Sequence, residues 1–435
     1  MKKILIIDAG GYGLDFALRA MKEGHVVKLF IRKDPKYGRV KVGDGLVEKV
    51  PHWEPWMKWA DMVFCTDNAF YFHALEPYRK LGYPIFGGGL SGMEMELNRV
   101  TGQELMKKAG IDILPYKVFS RYDDAEAFVR KTMGRYVSKP SGDADKALSY
   151  VSKSPADMIY MLRKWKKTNK IKHPFILQTF AKGVEMAVGG WFGPAGFSKY
   201  WLENFEFKKL MPGEKGVQTG EMGTVLRYTK KSKLADKMLV PMTDYLHSIG
   251  YVGYIDQNCI IDEAGKAWPM EFTTRPGWPL FNIQQALHPV VAGWMFDLMD
   301  GVDTFVPSED VGLGVVIAIP DFPYSKLTKK EVSGVPVYFS PNDHHHFAEM
   351  MLGTAPVIKG NKVIDAPCIV SAGDYLMIVS GTGKTIKAAK LKAYSEVDKI
   401  EIPNSPIYRT DIGDRLKVQL IELQKHGYAK GLTYA

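Results

Sequence analysis

The start of the chain limits the possible folds most strongly, because apolar strand patterns alternate there with helical ones. An apolar run at 3–8 (KILIID) leads through the glycine-rich turn 9–13 into a helix that ends at about Glu23. The alternation continues with predicted strands at 25–31, 60–65 and 83–86 and a helix at about 70–82. Strands that alternate with helices predict an α/β fold with a parallel, doubly wound sheet.

The glycines of the first turn, Gly10, Gly11 and Gly13, leave two interpretations open. Their backbone N–H groups could cradle a phosphate at the N-terminus of the following helix. Alternatively, the glycines could serve only the tight turn itself. The dinucleotide motif GxGxxG does not fit, because a motif that starts at Gly11 requires glycine where Phe16 stands. The spacing therefore disfavours an NAD-dependent enzyme.

The composition is typical of a globular protein with anionic partners. The chain has 435 residues, of which 46% are hydrophobic and 24% are charged, so we expect roughly two to four domains with a sizeable buried core. The formal net charge of +10 favours nucleotides or phosphorylated metabolites as partners. Nucleic acid is a less favoured partner, because no arginine-rich patch interleaved with aromatic residues occurs.

The cysteines and the N-terminus indicate the compartment. Cys65, Cys259 and Cys368 are far apart and odd in number, which is typical of a reducing compartment and predicts neither a disulfide framework nor a zinc site. The N-terminal apolar run is too short for a signal peptide, and no run of membrane-spanning length follows. We therefore expect a cytoplasmic protein without a membrane partner.

A predicted β-hairpin at 253–279 carries polar side chains where a plain hairpin would be hydrophobic. The polar residues on its two strands are Asp256, Gln257 and Asn258, then Glu271, Thr273 and Arg275. Carboxylate and amide oxygens brought together in this way suit Mg²⁺, and the arginine could bind a phosphate or carboxylate held by that metal. The alternative is a surface hairpin with a solvated polar edge.

Two strands between the first sheet and this hairpin carry candidate nucleotide contacts. Lys139 lies on a predicted strand at 136–140, before the glycine-containing loop 141–146, so it is either a phosphate clamp under a closing loop or a surface lysine. An apolar strand at 175–180 leads to Glu185, which could bind the ribose of a nucleotide whose adenine contacts the strand backbone. The other predicted elements are helices at 93–110, 125–132 and 232–248, a strand at 186–191, and a long functional loop at 203–224.

Beyond about residue 305 the pattern predicts a separate α+β domain, with a strand at 312–320 and a helix at about 411–426. Two motifs there are not expected to be functional sites. GTGKT at 381–385 lacks the first glycine of a phosphate-binding loop, so it predicts a turn into a helix at 386–393. Adjacent histidines cannot all face one metal ion, so residues 344–346 (HHH) predict a solvated loop.

Three motifs in a fixed order resemble one enzyme family. They are TGEMG at 219–223, EFTTRPG at 271–277 and YRTDIGDR at 408–415, which are similar to the family motifs NTGGMG, EFNxRxGDP and YRxDIGxR. Their order is far more specific than any one of them. The chain thereby resembles, along nearly its whole length, the ATP-grasp superfamily and, within it, the glycinamide ribonucleotide synthetases, or phosphoribosylamine–glycine ligases.

The resemblance implies a multidomain α/β and α+β architecture. It implies a Rossmann-like domain at 1–98, an ATP-grasp domain at 99–305 with a mobile lid at about 113–180, and a small α+β domain at 306–435. It also implies a monomeric or homodimeric enzyme that uses ATP and Mg²⁺ or Mn²⁺ to join a carboxylate to an amine through an acyl phosphate. The first substrate pair that the resemblance implies is glycine as the carboxylate and phosphoribosylamine as the amine. The alternatives are a different amine, such as a modified nucleotide or base, and an inactive homologue that binds nucleotides or nucleic acid.

The resemblance further implies roles for the residues that match the family motifs. ATP would be bound by Lys139, Lys146, Thr179, Phe180, Ala181 and Glu185. The catalytic residues would be Lys139 and Arg275. The metal ligands would be Glu271, Thr273 in place of the family's asparagine, and Gln257 or Asp256 on the first strand of the hairpin. The substrates would be bound by Gly10, Gly11, Asp67, Glu206, Thr219, Gly220, Gly223, Arg275 and Gly277.

The chain departs from the family pattern at its first turn. The family sequence GNGGREHA corresponds here to residues 8–15 (DAGGYGLD), so its arginine, glutamate and histidine are missing. Residues 66–68 (TDN) replace the family's GPE motif, and Arg99 stands where a lysine is usual. The N-terminal changes fall where the family binds phosphoribosylamine. The resemblance therefore covers the ATP chemistry better than the amine site.

Overall fold

The apolar runs at the start of the chain form a parallel sheet in the computed structural model. The elements are β1 (Lys3–Asp8), α1 (Leu14–Lys22), β2 (Val26–Ile31), β3 (Met62–Cys65), α2 (Phe72–Lys80) and β4 (Ile85–Phe86). The strand order is β2-β1-β3-β4, and every neighbouring pair is parallel. The apolar residues of β1 are fully buried, as expected for a parallel sheet that is covered on both faces. The predicted parallel sheet is therefore present.

The structure describes residues 1–33, 40–67, 69–141, 149–168, 174–288, 290–324, 332–403 and 406–435. Most of the predicted phosphate-covering loop 141–146, including Lys146, lies outside these residues. Within them, every helix is too short or too polar to cross a lipid bilayer.

Two helices lead from the parallel sheet to a second sheet. They are α3 (Leu90–Leu97) and α4 (Arg99–Lys108), and they replace the single helix predicted at 93–110. The break lies at Asn98, whose backbone is extended and whose side chain accepts a hydrogen bond from the N–H of Thr101 at 3.2 Å. An asparagine cap of this kind ends one helix and begins the next.

The second sheet contains the strand that carries Lys139. Its elements are β5 (Tyr116–Phe119), α5 (Tyr122–Thr132), β6 (Tyr136–Pro140), β7 (Tyr150–Val151), α6 (Pro155–Thr168) and β8 (Phe175–Thr179). The strand order is β5-β8-β6-β7, and the pairs are antiparallel. This layer has its own hydrophobic core, which includes Phe119, Leu162, Trp165 and Phe175. Lys139 is therefore held on a packed layer.

The largest sheet collects most of the remaining strands. The strands that remain are β9 (Gly183–Gly193), β10 (Gly196–Phe197), β11 (Trp201–Glu206), β12 (Lys209–Met211), β13 (Lys215–Gln218), β14 (Gly223–Thr229), β15 (Gly253–Asp262), β16 (Ala267–Thr273), β17 (Val311–Ala318), β18 (His345–Phe347), β19 (Met350–Lys359), β20 (Lys362–Ser371) and β21 (Tyr375–Gly383). Two pairs, β12–β13 and β19–β20, form separate hairpins, and the other strands belong to the large sheet. The order is β16-β15-β9-β11-β14-β17-β21-β18, with β10 paired to β9. Since β17 pairs with β14, the sheet crosses position 305, where the sequence predicts a domain boundary. The division into three domains stays a prediction.

Two of the remaining helices, the first two along the chain, replace the single helix predicted at 232–248. The full set is α7 (Lys233–Met238), α8 (Thr243–Ser248), α9 (Leu280–Ala286), α10 (Gly293–Met299), α11 (Ile386–Val397) and α12 (Leu416–Lys425). A 3₁₀ turn that contains Pro241 separates α7 from α8, where one helix was predicted. GTGKT leads into α11, and Thr385 caps that helix by accepting a hydrogen bond from the N–H of Ala388 at 3.2 Å. Residues 381–383 form the end of β21, so only Lys384 and Thr385 make the turn. The predicted helix after GTGKT is present, but the prediction that the whole motif is a turn is wrong.

The prediction of a long loop at 203–224 is wrong. The end of β11, the hairpin β12–β13 and the start of β14 occupy most of this segment. The strands of the hairpin are short and largely exposed, so their sequence lacks the alternation that would predict them. A buried arginine fixes the hairpin instead: Arg409 donates to the carbonyl of Lys209 at 3.0 Å and to the carboxylate of Glu214 at 2.9 Å.

The prediction of a solvated histidine loop is also wrong. His345 and His346 are buried on β18, which pairs with β21. Nδ1 of His346 lies 2.8 Å from one carboxylate oxygen of Asp15, and Nε of Arg19 lies 2.9 Å from the other. Burial would raise the pKa of Asp15, but Arg19 and His346 outweigh this effect and lower it. These side chains tie α1 of the parallel sheet to the edge strand of the large sheet.

We expect Asp15→Ala to lower the free energy of unfolding by about 3 kcal/mol, because Arg19 and His346 would stay buried without their shared carboxylate. The control is Asp343→Ala. Asp343 pairs at 2.6 Å with Lys22, which lies on α1 like Asp15, but the side chains of Asp343 and Lys22 are 75% and 70% exposed. Loss of this pair should therefore cost less than about 1 kcal/mol. Urea denaturation measures both variants. Equal losses would contradict the role of the buried cluster.

Candidate active site

Lys139 reaches from the second sheet to the large sheet. Its Nζ donates to the carbonyl of Met270 on β16 at 2.9 Å, and only 6% of the residue is exposed. Burial lowers the pKa of Lys139 to about 8, because the ammonium group loses hydration there. Lys139 is therefore a buried amine between two sheets and not a surface lysine.

Glu271 on β16 is held in its ionised form. Its Oε2 lies 2.8 Å from Nη1 of Arg99 at the start of α4. The attraction of Arg99, assisted by that of Lys139, lowers the pKa of Glu271 to about 2 although burial opposes it. The carboxylate is thus negatively charged at neutral pH, as a ligand of a divalent cation must be.

The register of the hairpin decides which polar side chains share a face with Glu271. Asn258 pairs with Glu271 and Asp256 pairs with Thr273, while Gln257 lies between the two on β15. Because paired residues share a face and neighbours alternate, Gln257 points to the opposite side of the sheet. Its Nε2 donates to the backbone carbonyl of Glu271 at 2.9 Å. The structure therefore brings Asp256 and Asn258, but not Gln257, to the face of Glu271.

Lys208 is the centre of a cluster of charges on this face. Its Nζ lies 2.5 Å from Oε1 of Glu185 and 2.9 Å from Oε2 of Glu206. The amide of Asn258 donates to the same two oxygens at 3.0 and 3.1 Å. Burial alone would lower the pKa of Lys208, but the attraction of Glu185 and the neighbouring glutamates outweighs it and raises the pKa well above its usual value. Lys208 therefore stays charged and holds β9 and β11 together.

Asp256 faces the same cluster, but neighbouring buried side chains already donate hydrogen bonds to its carboxylate. Its Oδ2 accepts hydrogen bonds from the hydroxyl of Tyr254 and the amide of Asn204, both at 2.9 Å. Burial, together with repulsion from Glu206, raises the pKa of Asp256 to about 7. A carboxyl group that keeps its proton to near neutral pH is a weaker metal ligand than the ionised carboxylate of Glu271.

The oxygens that suit a divalent cation best are those of Glu271 and Asn258. Oδ1 of Asn258 is buried and has no hydrogen-bond partner among the described residues, so it offers an acceptor directly opposite Glu271. Mg²⁺ is commonly held by one or two carboxylates and completes its shell with water and substrate phosphates. Thr273 lies on the same face of the hairpin. In the part of the chain that the structure describes, no group of three acidic, histidine or cysteine side chains is arranged to hold a metal.

The predicted adenine strand β8 already uses part of its backbone. The N–H of Thr179 donates to the carbonyl of Pro115 at 2.9 Å, and the N–H of Phe180 donates to the carbonyl of Arg135 at 3.0 Å. The guanidinium of Arg135 lies 3.4 Å from the centre of the Phe180 ring. Ala181 follows directly, before β9. An adenine bound here would therefore contact backbone carbonyls in preference to these two N–H groups.

The end of the hairpin carries Arg275 and Gly277 towards the parallel sheet. Nε of Arg275 lies 3.7 Å from Oε1 of Glu96 on α3, whose Oε2 accepts a hydrogen bond from the N–H of Thr274 at 2.7 Å. The arginine side chain is 29% exposed. The helix thus orients the guanidinium and leaves part of it accessible to an anion.

The segment 219–223 lies against Lys208. The N–H and the hydroxyl of Thr219 donate to the Lys208 carbonyl at 2.9 and 2.8 Å. Gly220 is exposed, whereas Glu221 is buried, and within the described part of the chain its Oε1 has no hydrogen-bond partner. A Cβ at Gly223 would lie 2.5 Å from a backbone oxygen of β17, so this glycine is required for packing. Thr219 and Glu221 are the residues that this segment brings to the cluster.

The C-terminal motif at 408–415 supports the cluster from outside. Nη2 of Arg415 donates to the carbonyl of Glu206 at 2.6 Å, and its guanidinium lies 4.2 Å from the centre of the Phe207 ring. Asp411 accepts a hydrogen bond from the N–H of Gly213 at 2.9 Å. The motif therefore fixes β11 and the hairpin β12–β13.

The glycine turn after β1 is occupied by a side chain of the protein itself. The N–H groups of Gly10 and Gly11 each donate to Oδ1 of Asp8 at 2.9 Å, and the N–H of Gly13 donates to Oδ2 at 2.7 Å. Asp8 is fully buried, and burial raises its pKa. A phosphate cradle would need these same donors. The structure therefore favours the tight-turn interpretation of the glycines.

Several residues near the two ends of the site were not predicted. Lys208 lies in the segment predicted to be a loop, and no motif marks it. Tyr12 and Trp278 stack with their ring centroids 5.6 Å apart, a contact between distant segments that a single sequence does not reveal. Asp67, which was predicted, follows β3 and accepts hydrogen bonds from the N–H groups of Ala69 and Phe70 at 2.7 Å each.

Known proteins share this architecture. No family model matches the chain. The phosphoribosylamine–glycine ligase of Ralstonia nicotianae is 22% identical over 95% of this chain and 99% of its own length. The solved phosphoribosylamine–glycine ligase of Thermotoga maritima superposes with a TM-score of 0.73 at 19% identity and covers 94% of this chain and 100% of its own. The chain resembles the phosphoribosylamine–glycine ligases of the ATP-grasp superfamily.

A second solved structure extends the comparison to a nucleotide complex. It is the biotin carboxylase domain of the Hydrogenobacter thermophilus 2-oxoglutarate carboxylase in complex with MgADP, ADP and bicarbonate, with a TM-score of 0.61 at 12% identity. The match covers 92% of this chain and 90% of that chain. The resemblance drawn from three motifs is thus confirmed, and the shared fold is a mixed α/β, multidomain one with a parallel four-stranded sheet.

We expect Asp256→Asn to raise the thermal unfolding midpoint at pH 8 by about 2–4 °C and to have little effect at pH 4. The pKa of Asp256 rises from 3.8 to about 7 on folding, so its contribution to stability is present below about pH 4 and is lost as the pH rises to about 7. An asparagine keeps an acceptor for Tyr254 and Asn204 without a buried charge. Calorimetry at both pH values measures the effect, and a pH-independent shift would contradict the raised pKa.

Proposed function

We propose that the chain is an ATP-dependent ligase that forms an amide from a carboxylate and an amine through an acyl phosphate. The observation that carries this proposal is the placement of Lys139 and the ionised Glu271 where the second sheet meets the hairpin of the large sheet. A lysine and a carboxylate at such a junction can bind a nucleotide phosphate and its metal ion. The relatives named phosphoribosylamine–glycine ligases support the same reaction class.

In the first step, an oxygen of the substrate carboxylate attacks the γ-phosphorus of ATP. A carboxylate O–P bond forms, the bond from the γ-phosphorus to the bridging oxygen breaks, and ADP leaves. Lys139 neutralises charge that develops on the phosphate oxygens. Arg275 binds the acyl phosphate through its accessible guanidinium. Both residues act by position and charge, without a covalent enzyme intermediate.

In the second step, the amine nitrogen attacks the carbonyl carbon of the acyl phosphate. The C–N bond forms, the bond from that carbon to the phosphate oxygen breaks, and the amine releases a proton. The products are an amide and inorganic phosphate. Water must be kept out between the steps, because it would hydrolyse the acyl phosphate. We assign this task to the loop 141–146, most of which lies outside the described residues.

The divalent cation, Mg²⁺ or Mn²⁺, would be held by oxygens of Glu271 and Asn258. When bound, it supplies positive charge to the phosphate oxygens. Arg99 keeps Glu271 ionised and fixed in position. The carboxylates of Glu185 and Glu206 orient the amide of Asn258 by accepting hydrogen bonds from its nitrogen, and its oxygen accepts none from the described residues.

The substrate pair named by the relatives is glycine and phosphoribosylamine, and it is the first candidate for this chain. A ligase with a different amine is the second candidate, and the occupied first turn favours it. The ionised Glu271 and the buried Lys139 argue against an inactive homologue. Our proposal includes the domain boundaries near 98 and 305, a cytoplasmic location and a monomeric or homodimeric state.

Trapping of the acyl phosphate by hydroxylamine tests the reaction class without knowledge of the amine. With ATP, Mg²⁺ and glycine or another amino acid, we expect hydroxamate and ADP to form in equal amounts. Glu271→Gln should lower this rate on the order of 100-fold or more, since the metal site loses its charged ligand. Colorimetric hydroxamate detection and coupled ADP release measure the two products.

The matched control for this variant is Glu263→Gln. Glu263 lies in the turn of the same hairpin and pairs with Lys182 at 2.6 Å, and its side chain is 76% exposed. We expect this variant to keep wild-type turnover and stability. Similar activity in the two variants would contradict the role of Glu271. Absence of carboxylate-dependent hydroxamate from the wild-type protein would contradict the reaction class.

Nucleotide affinity should fall as the pH rises through about 8. Burial lowers the pKa of Lys139 to that value, so its positive charge is lost above it. We expect the Kd of ADP to increase about tenfold between pH 7 and pH 9.5. Lys139→Arg keeps its charge over this range and should show a much flatter profile. Calorimetric titrations measure both proteins, and equal slopes would contradict the assignment of Lys139.

A further inference from the structure

Arg99 contacts the same carboxylate that is proposed to bind the divalent cation. Its Nη1 lies 2.8 Å from Oε2 of Glu271, and the side chains of Arg99 and Glu271 are 23% and 37% exposed. A divalent cation that binds Oε2 must displace the guanidinium. A cation at the other carboxylate oxygen would lie beside the guanidinium, where the two positive charges repel each other. Arg99 and the cation are therefore competitors for Glu271.

The guanidinium of Arg99 also has a donor that no residue uses. Its Nη1 donates to the backbone carbonyl of Glu96 at 3.2 Å, but its Nε is buried and has no hydrogen-bond partner among the described residues. Buried donors are almost always paired, and an unpaired one destabilises the fold. A planar guanidinium suits phosphate oxygens, because it can donate two parallel hydrogen bonds to them. The unused Nε therefore indicates an anionic acceptor that binds beside Glu271.

The charges linked to Glu271 by direct contacts balance one another. Nζ of Lys139 donates to the carbonyl of Met270, which directly precedes Glu271, at 2.9 Å. Asn258 pairs with Glu271 across the hairpin and donates to the two carboxylates that Lys208 contacts. The three cations and three carboxylates of this set are Arg99, Lys139, Lys208, Glu185, Glu206 and Glu271. A free divalent cation therefore meets no excess of negative charge, whereas a nucleotide diphosphate supplies that excess.

We propose that Arg99 makes the binding of a divalent cation at Glu271 conditional on a nucleotide. The inference rests on the proposed function, which places the nucleotide phosphates at Lys139. A phosphate oxygen accepts hydrogen bonds from Arg99, including that of the unused Nε, and the guanidinium passes from the carboxylate to the phosphate. Glu271 and Asn258 then offer their oxygens to the cation. The nucleotide thus binds without the cation, whereas the cation alone binds poorly.

Binding of each ligand by itself tests this proposal without turnover. The probes are Mn²⁺ alone, detected by electron paramagnetic resonance of the free ion, and ADP alone in the presence of EDTA, measured by calorimetry at pH 7. We expect the wild-type protein to bind ADP without a metal. We expect Mn²⁺ alone to bind about twentyfold more weakly than with saturating ADP, after correction for the Mn²⁺ that ADP binds in solution.

Replacement of the arginine should change the two affinities in opposite directions. Arg99→Gln removes the competitor for Glu271 and a phosphate donor. We therefore expect this variant to bind Mn²⁺ alone about tenfold more tightly and ADP alone about tenfold more weakly than the wild-type protein. A merely structural role of Arg99 would weaken both ligands. Addition of Glu271→Gln to this variant should remove the gained affinity for Mn²⁺, which locates the ion at Glu271.

Two further variants control for charge and position. Arg99→Lys keeps the positive charge, so it should restore the exclusion of Mn²⁺. Arg121→Gln removes an arginine whose side chain is 70% exposed and lies 4.0 Å from Asp124, so it should change neither affinity. Circular dichroism and thermal unfolding confirm that each variant is folded.

The outcomes separate this proposal from the ligase function. Weakening of both ligands by Arg99→Gln, tight binding of Mn²⁺ alone to the wild-type protein, or ADP binding that requires Mn²⁺ would each overturn the role of Arg99, and hydroxamate formation would show that the ligase function stands. Absence of hydroxamate would overturn the ligase function, and the two affinities would still decide the role of Arg99. A wild-type protein that binds no ADP with or without Mn²⁺ would overturn both.

Discussion

The candidate site depends on Lys208, whose positive charge neutralises the carboxylates of Glu185 and Glu206. Two carboxylates on neighbouring strands of a buried sheet would repel each other without a cation between them. Asn258 donates to the same oxygens and is thereby held opposite Glu271. The lysine thus helps to fix β9, β11 and β15 relative to one another, and with them the oxygens that we propose as metal ligands.

Side chains from the C-terminal region hold the strands of this arrangement in place. Arg409 and Arg415 are bound to backbone oxygens of β12 and β11, and His346 meets Asp15 across two sheets. Each contact joins a side chain from a late part of the chain to a partner from an earlier part. The large sheet itself continues past position 305 through the pairing of β14 with β17, so segments that are far apart in sequence meet around the candidate site.

The sequence predicts those parts of the molecule that local physics determines. Strands covered on both faces read as continuous apolar runs, as in β1, and the turn of the β15–β16 hairpin is marked by Asp262, which accepts hydrogen bonds from the N–H groups of Ala264 and Lys266. The side-chain face of Gln257 depends on strand register, which a single sequence leaves open. The burial of His346 depends on Asp15, a partner that is distant in sequence. Nonlocal charge pairs of this kind leave no periodic pattern.

The two ends of the site differ in how freely their chemistry can change. At the proposed nucleotide end, Glu271, Arg99 and Lys139 come from three different elements, and loss of Arg99 or Glu271 leaves a partly buried charge without its partner. At the first turn, the bonds of Asp8 to Gly10 and Gly13 are local, so changes among residues 8–13 alter what this turn can bind without disturbing the sheet. A different amine substrate is therefore compatible with the phosphate chemistry that we propose for the other end of the site.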